Sequence, residues 1–221
     1  MSELSDRLRE ALGAVARGDI EAALPVLEEE AEQGAPEAQF TLGSLYANGD
    51  GIALNYVKAA HWIGRAAEAG LSAAQPVMGW LCANGYGVEQ DDAKAREWYL
   101  RAAEGGDADA QLAVAVMYQF GRFGAEKDPA RMLMWYQRAA QQEHAKAQFA
   151  LGKLMARGEQ VQQNDEAAFQ WLTLAIMNGS EPAKEELAML TGRLKESQVE
   201  AFKQRMLEAM SESQRQGAPG G

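Results

Sequence analysis

The chain has 221 residues, 47% of them hydrophobic and 24% charged, and its net charge at pH 7 is −11. These proportions are typical of a soluble chain that is long enough to bury a sizeable core. The negative charge argues against a nucleic-acid or anionic-membrane surface, which would need clustered Lys and Arg, and the single Cys excludes an internal disulfide. Alanine is unusually abundant, at 42 residues. So many small side chains predict helices that approach each other closely many times over.

The first ten residues, MSELSDRLRE, are polar and mixed in charge, and they lack the apolar core of a secretory signal. The longest uncharged stretch, residues 69–88, has the length of a membrane span but is interrupted by glycines and polar residues. We therefore expect a cytoplasmic protein with no membrane insertion.

Residues 1–35 predict a degenerate helix pair that caps the N-terminal end, with helices at 4–16 and 19–32. Residues 1–36 contain nine acidic residues and three Arg. We interpret the acidic run 28–30 as a solvated helix face, and only secondarily as a docking site for a basic partner.

A period of about 36 residues runs through the middle of the chain. Two landmarks recur in register, an Ala-Gln pair that begins at 38, 74, 110 and 147, and a tryptophan at 62, 98, 135 and 171. They predict four repeats, at 36–71, 72–107, 108–144 and 145–180. The extra residue of the third repeat falls in its glycine turn.

Each repeat has the pattern of a helix, a turn with paired glycines and a second helix. Ala38, Leu42 and Leu45 follow the spacing of one helical face. A row of small residues lies beside this face, and glycine within a helix costs about 1 kcal/mol relative to alanine. The row therefore predicts the close approach of a neighbouring helix, with the Ala-Ala pairs of the second helices as counterparts. The row consists of Gly43, Gly79, Ala115 and Gly152.

Near the beginning of the second helices stand Asp92, Asp128 and Asp165, where an acidic side chain can accept hydrogen bonds from free N–H groups. In the fourth repeat Gln160 stands near the place of the second turn glycine, which leaves that turn's geometry open. Residues 181–210 predict two capping helices, and residues 211–221 predict a disordered tail. Together these elements predict one continuous all-α stack.

The second repeat reads LSAAQPVMGWLCANGYGVEQDDAKAREWYLRAAEGG from Leu71 to Gly106. Its pattern resembles AxAxxxLGxxYxxGxGVxxDxxKAxxWYxKAAxxG, the motif of the Sel-one-like repeat (SLR) family, which is related to the tetratricopeptide repeats. The resemblance covers about residues 19–179. It implies a right-handed α/α superhelical solenoid of helix-turn-helix repeats. It also implies a role as a protein–protein adaptor, since members commonly act in bacterial signalling, secretion or envelope processes.

A solenoid of this kind binds on the concave face that its first helices form. We expect an apolar patch of Trp80, Val116 and Phe120, and for Phe40 and Phe149 burial between repeats is an equal alternative. An aromatic anchor near cations suits a protein or peptide with an acidic residue beside its own apolar anchor. The predicted binding surface consists of Phe40, Ser44, Trp80, Leu112, Val116, Phe120, Lys146, Phe149, Lys153 and Arg157.

The residues give little support for catalysis. His61 is expected on an exposed helix surface, His144 follows a helix end, and Cys82 occupies a core row. No metal-ligand spacing, phosphate loop or Ser/Thr-x-x-Lys pattern occurs. We therefore expect a non-catalytic scaffold with no metal and no cofactor. The alternatives are an enzyme or small-ligand-binding protein with a site between repeats, and a structural homo-oligomer assembled through the terminal helix. The oligomeric state stays open.

Overall fold

The computed structural model describes residues 5–216, except for the side chains of 209, 210 and 212–216. Within that range the chain forms twelve α-helices and no strand. The helices are α1 (Asp6–Ala16), α2 (Ile20–Glu32), α3 (Pro36–Asn48), α4 (Tyr56–Glu68), α5 (Ala74–Asn84), α6 (Asp92–Glu104), α7 (Ala108–Phe120), α8 (Pro129–Gln141), α9 (Ala145–Arg157), α10 (Asp165–Met177), α11 (Glu181–Gly192) and α12 (Glu196–Gln216).

The chain divides into two compact units, one ending at Glu126 and the other beginning at Lys127. The boundary falls in the segment between α7 and α8, where the third repeat carries its extra residue. In the first unit each helix packs mainly on the helices before and after it in the chain. In the second unit α8, α9, α10 and α11 pack in the same sequential way, and α12 packs on α10.

Alanine makes up about half of the buried apolar residues in the described part of the chain. The close helix approach that the row of small residues predicts is confirmed at Gly43, where an added Cβ would lie 2.6 Å from Cγ1 of Ile63. An added Cβ at Gly152 would lie 2.8 Å from Cγ of Leu172. The expected counterparts were wrong, however. The small residues contact the middle of the second helix of their own repeat and not its Ala-Ala pair.

The Ala-Ala pairs have a different neighbour, which is the first helix of the next repeat. Nε2 of Gln111 donates to the carbonyl of Ala103 over 3.0 Å, and Nε2 of Gln148 donates to the carbonyl of Ala140 over 3.1 Å. Both glutamines are buried. The recurrent Ala-Gln pairs therefore join each of these first helices to the C-terminal end of the second helix that precedes it.

The turn of the fourth repeat keeps the backbone geometry of the turns in the first and second repeats. Gly85 and Gly87 of the second repeat have φ angles of 70° and 72°, and Gly158 and Gln160 of the fourth have 68° and 63°. Gln160 thus adopts the left-handed conformation that glycine adopts elsewhere, which is costly for a residue with a Cβ.

The predicted acidic residues lie at the beginning of the second helices, and in two of three cases the residue before them is the cap. Asp91 accepts from the N–H of Lys94 and Asn164 from the N–H of Ala167, so that Asp92 and Asp165 are the first residues of their helices. Asp128 is the cap of α8, as expected.

The C-terminal helix is longer than its apolar pattern indicated. We expected it to end at Met210, but α12 continues to Gln216, so that residues 211–216 of the expected tail are helical. The rest of that tail, residues 217–221, lies outside the described residues, as do residues 1–4 at the other end.

Candidate protein-binding surface

The predicted surface residues lie on the most exposed side of the first helices. In the first unit this side is formed by α3, α5 and α7. Trp80 is 42% exposed and Phe120 is 53% exposed, although both are large and apolar. Leu112 and Val116 are half-buried on the same side of α7. The first unit therefore presents two aromatic side chains to solvent, and both belong to the predicted binding surface.

Trp80 belongs to an aromatic cluster, which consists of Trp80, Tyr86 and Tyr56. The Trp80 and Tyr86 ring centroids are 4.9 Å apart, and the Tyr86 ring stacks on Tyr56 at 4.8 Å. Tyr86, which is 38% exposed, was missed by the sequence reasoning. The available signal was an aromatic residue between two turn glycines, where the first repeat has Asp50.

Polar side chains near these anchors are engaged with their own backbone. The hydroxyl of Ser44 donates to the carbonyl of Phe40 over 2.8 Å, and Nδ2 of Asn84 donates to the carbonyl of Trp80 over the same distance. Phe40 itself is half-buried and packs against the core cluster that contains Ile63 and Leu81. Phe40 therefore contributes to packing between repeats, the alternative that we weighed equally.

A cation lies beside the second exposed anchor of the first unit. The guanidinium carbon of Arg122 lies 5.4 Å from the centroid of the Phe120 ring. Attraction between a cation and an exposed ring contributes about 0.5–1 kcal/mol. Arg122 was not among the predicted site residues, because the third repeat's turn departs from the pattern of the others.

In the second unit the predicted residues lie on α9. Lys146 is exposed, while Phe149 and Lys153 are half-buried, with Nζ of Lys153 5.8 Å from the Phe149 ring centroid. Phe149 packs against the core cluster of α9 to α12. Like Phe40, Phe149 therefore contributes to core packing and is also partly exposed at the surface.

Arg157 has a structural partner that its position in the sequence did not reveal. Its Nε and Nη2 donate to the two carboxylate oxygens of Glu186 over 2.9 and 2.8 Å. Glu186 is buried, at 7% exposure, and its hydrogen bonds hold the pKa of Arg157 above the ordinary value. A bidentate pair of this kind is stronger than an ordinary surface ion pair. Arg157 therefore joins α9 to α11 in the second unit.

Groups with chemical reactivity are dispersed in the described residues. They contain no group of three or more His, Cys, Asp or Glu side chains that could hold a metal ion. Cys82 is buried, as expected, and burial raises the pKa of its thiol. His61 is exposed on α4, and His144 caps α9 by accepting from the N–H of Ala147. Burial also raises the pKa of Tyr136, to about 12.

Two open clefts are prominent, one in each unit. The cleft of the first unit, about 570 Å³, has a wall of Glu28, Glu29 and Glu32 opposite Trp62 and His61. Glu29 is exposed and paired with Arg7, whose Nη2 lies 2.7 Å from its carboxylate. The cleft of the second unit, about 820 Å³, is apolar and lies between α10, α11 and α12. The predicted binding-surface residues line neither cleft.

Repeated helix pairs that pack on one another in chain order define the class of helical-repeat proteins. Four segments of the chain match the family model of the Sel1 repeat, at residues 36–71, 72–107, 108–144 and 145–180, about two thirds of the sequence. The chain belongs to the Sel1 repeat family, and the expected all-α helix-turn-helix repeat fold is confirmed.

Two solved structures resemble the chain along most of its length. A Sel1 repeat protein from Oxalobacter formigenes is 30% identical, with a TM-score of 0.76 over 92% of this chain and 86% of that protein. The protein c5321, a protective antigen with an SLR fold from uropathogenic Escherichia coli, is 28% identical, with a TM-score of 0.73. This second match covers 85% of the present chain but 41% of c5321. Among curated proteins no sequence match was found.

Sel1 repeat proteins are generally protein-interaction scaffolds that lack catalysis. Across residues 5–216, no helix combines the length and the apolar character that crossing a bilayer requires.

Proposed function

We propose that the chain is a non-catalytic scaffold that binds a segment of a partner protein on the exposed side of its first helices. The observation that carries this proposal is the exposure of Trp80 and Phe120. The same rows of the first repeat hold the small or polar residues Ser44 and Asn48. Large exposed aromatic side chains are unfavourable in water and are the residues that most often dominate the energy of an interface.

The aromatic cluster makes Trp80 a well-supported anchor. Because Tyr86 packs beside it and Tyr56 stacks behind Tyr86, the indole is held at a fixed place before any partner arrives. A partner that contacts this ring loses little conformational freedom of the scaffold. Helices whose turns and caps are already fixed have the same advantage over loops that order on binding.

We propose a partner segment with an apolar side chain and an acidic residue next to it. Support in the first unit comes from Arg122, which places a cation beside the ring of Phe120. Support in the second unit comes from Lys146 and Lys153 on α9, the latter next to Phe149. Arg157 is the least suited of the predicted cations, because its guanidinium already holds the carboxylate of Glu186.

The test is a comparison of partner capture by matched variants. The immobilised chain, its Trp80→Ala/Phe120→Ala variant and a control variant, Val57→Ala, are each incubated with extract of the source organism. Val57 is 68% exposed but lies on α4, a second helix. We expect proteins that the parent and the control retain to be lost from the double variant, with affinity for a purified partner reduced more than about fivefold.

The double variant should leave the fold intact, because neither side chain belongs to the buried core: Trp80 is 42% exposed and Phe120 is 53% exposed. A helical circular dichroism spectrum equal to that of the parent establishes this. If the double variant retains the same proteins with the same affinity, the assignment of the binding surface to α5 and α7 is wrong.

A further inference from the structure

The apolar cleft of the second unit is a slot between two helices that diverge. α11 and α12 follow each other in the chain, yet they are not packed along their length as the helix pairs of the first, second and fourth repeats are. α12 packs instead on α10, where the rings of Phe169 and Phe202 lie 5.9 Å apart. The space left between α11 and α12, with α10 as its floor, measures about 820 Å³.

The walls of this slot are almost entirely apolar. Side chains such as Ile176, Leu187 and Met206 line it from all three helices. Two threonines also line it, but their hydroxyls are bonded within their own helices. Oγ1 of Thr173 donates to the carbonyl of Phe169 over 2.7 Å, and Oγ1 of Thr191 donates to that of Leu187 over 3.0 Å.

The edge of the slot exposes large apolar side chains. Met177 is 59% exposed and Leu207 is 63% exposed, and both line the slot. Contiguous apolar surface of this kind mostly marks an interaction site. Methionine side chains at such a site adapt to the shape of what they contact.

Among the residues that the structure describes, two charged side chains line the slot, Lys184 on α11 and Lys203 on α12. Each lies near a glutamate three residues earlier in its own helix, with Nζ 2.7 Å from Glu181 and 3.5 Å from Glu200. Both pairs are well exposed, and pairs of that kind contribute at most about 1 kcal/mol. Either lysine can therefore exchange its glutamate for a carboxylate brought by a partner.

We propose that this slot binds an amphipathic helix of a partner protein. The apolar stripe of that helix occupies the space between α11 and α12, and acidic residues on either side of the stripe meet Lys184 and Lys203. An apolar groove between helices is a common receptor for such a helix, which inserts side chains spaced at three and four residues. The site is separate from the surface proposed above, since it involves none of the first helices of the repeats.

Two synthetic helices of about 14 residues test this proposal. Both carry leucine at the same stripe positions, and the residues that flank the stripe are Glu in one peptide and Lys in the other. Binding to the full chain is followed by fluorescence anisotropy. We expect the Glu peptide to bind at least about tenfold more tightly, and the preference to reverse in the Lys184→Glu/Lys203→Glu variant.

A variant that fills the slot provides the second measurement. Ala188 lines the slot and is exposed, so that Ala188→Trp should block it without disturbing the core. Glu185→Trp, on an exposed position of α11 that does not line the slot, is the matched control. We expect Ala188→Trp to weaken the Glu peptide at least about tenfold. We expect Glu185→Trp and the Trp80→Ala/Phe120→Ala variant to bind it like the parent.

Several results would overturn the proposal. Equal binding of the two peptides, or full binding by Ala188→Trp, would show that the slot does not select an acidic helix. A dimer of the parent chain in sedimentation that Ala188→Trp abolishes would make a second copy the occupant. Dodecanoate that displaces the Glu peptide and binds more tightly than it does would make the slot a site for acyl chains.

Discussion

Asn178 donates its side-chain amide to Oε1 of Gln148 over 2.9 Å, and thereby completes the hydrogen bonding of a buried glutamine. The first repeat has the same glutamine without this partner. Nε2 of Gln39 donates to the carbonyl of Ala31 over 3.0 Å, but its Oε1 is buried with no hydrogen bond. Ala69 stands where the fourth repeat has Asn178, and a methyl group cannot donate.

We therefore expect Ala69→Asn to stabilise the first unit by about 1 kcal/mol, because it supplies a donor to a buried acceptor. Ala69 and Asn178 both follow the last residue of a second helix, with φ angles of −71° and −90°. Urea unfolding measures the change. The gain should disappear in a Gln39→Leu background, and a gain that persists there would refute the hydrogen bond as its cause.

The converse substitution, Asn178→Ala, removes the donor from Gln148. Its Oε1 would then be buried without a partner, at a cost of about 1–3 kcal/mol. Asn178 is itself exposed on its other side, so that little apolar packing is lost with it. An unchanged free energy of unfolding would show that the hydrogen bond between Asn178 and Gln148 does not contribute to stability.

Two glycines of the first repeat should respond to alanine in opposite directions. At Gly43 an added Cβ would lie 2.6 Å from Cγ1 and 3.0 Å from N of Ile63, so α3 and α4 would have to separate. We expect Gly43→Ala to destabilise the chain by about 1–3 kcal/mol. At Gly64, inside α4, the nearest atom would be Sδ of Met78 at 3.7 Å, an ordinary contact. There alanine should stabilise the helix by up to about 1 kcal/mol.

Thermal unfolding followed by circular dichroism checks the pair. Because both substitutions add the same methyl group in the same repeat, their difference isolates the close helix approach. Equal shifts of the two midpoints in one direction would mean that the close approach of α3 and α4 does not require glycine at position 43.

The repeat pattern predicted the helices well, because it depends on local signals: apolar spacing, turn glycines and caps. It did not predict which side chains meet across repeats. The Ala-Ala pairs were assigned to Gly43 and its equivalents, whereas rotation of the helices about their axes places Ile63 there. The bond between Arg157 and Glu186 joins residues 29 positions apart, outside any repeated pattern.

The candidate surface, too, could be predicted from the sequence only in part. Exposure of Trp80 and Phe120 followed from their place in rows that vary between repeats. The stacking of Tyr86 on Tyr56 could not be predicted in this way. The two residues are 30 positions apart, and the turn position that Tyr86 occupies holds a different residue in each repeat. The slot beside α12 also escaped prediction, since it results from the divergence of α11 and α12 and not from any residue's identity.

One turn between repeats carries a residue that its backbone disfavours. Glu143 has a φ angle of 60°, whereas the equivalent positions of the other repeats are Gly70 at 88°, Gly106 at 97° and Gly179 at 91°. A left-handed residue with a Cβ costs about 1–2 kcal/mol, partly offset by the extra freedom of glycine in the unfolded chain. We expect Glu143→Gly to raise the free energy of unfolding by about 0.5–1 kcal/mol.

Gly106→Ala is the matching control for Glu143→Gly. An added Cβ at Gly106 would meet no atom within 4 Å, so that any loss there reflects backbone conformation alone. Loss at Gly106 together with gain at Glu143 supports the argument. A Glu143→Gly variant less stable than the parent would contradict it.

The cap of α6 should make stability depend on pH. The carboxylate of Asp91 accepts from the N–H of Lys94 over 3.0 Å, and that hydrogen bond lowers its pKa below the ordinary value. Because the folded pKa is the lower one, the contribution is complete above the unfolded pKa of about 3.9 and is lost as the pH falls through the folded value. Asn55 caps α4 in the same way, with Lys58 in the place of Lys94.

Reciprocal substitutions use this pair of caps. Asp91→Asn keeps the hydrogen bond but removes the titrating group, so it should be less stable than the parent at pH 7. That difference should shrink in urea unfolding as the pH falls below about 4. Asn55→Asp should show the opposite behaviour, gaining stability at pH 7 and losing the gain in acid. If the difference between Asp91→Asn and the parent stays constant from pH 7 into the acid range, the charge on Asp91 does not stabilise the start of α6.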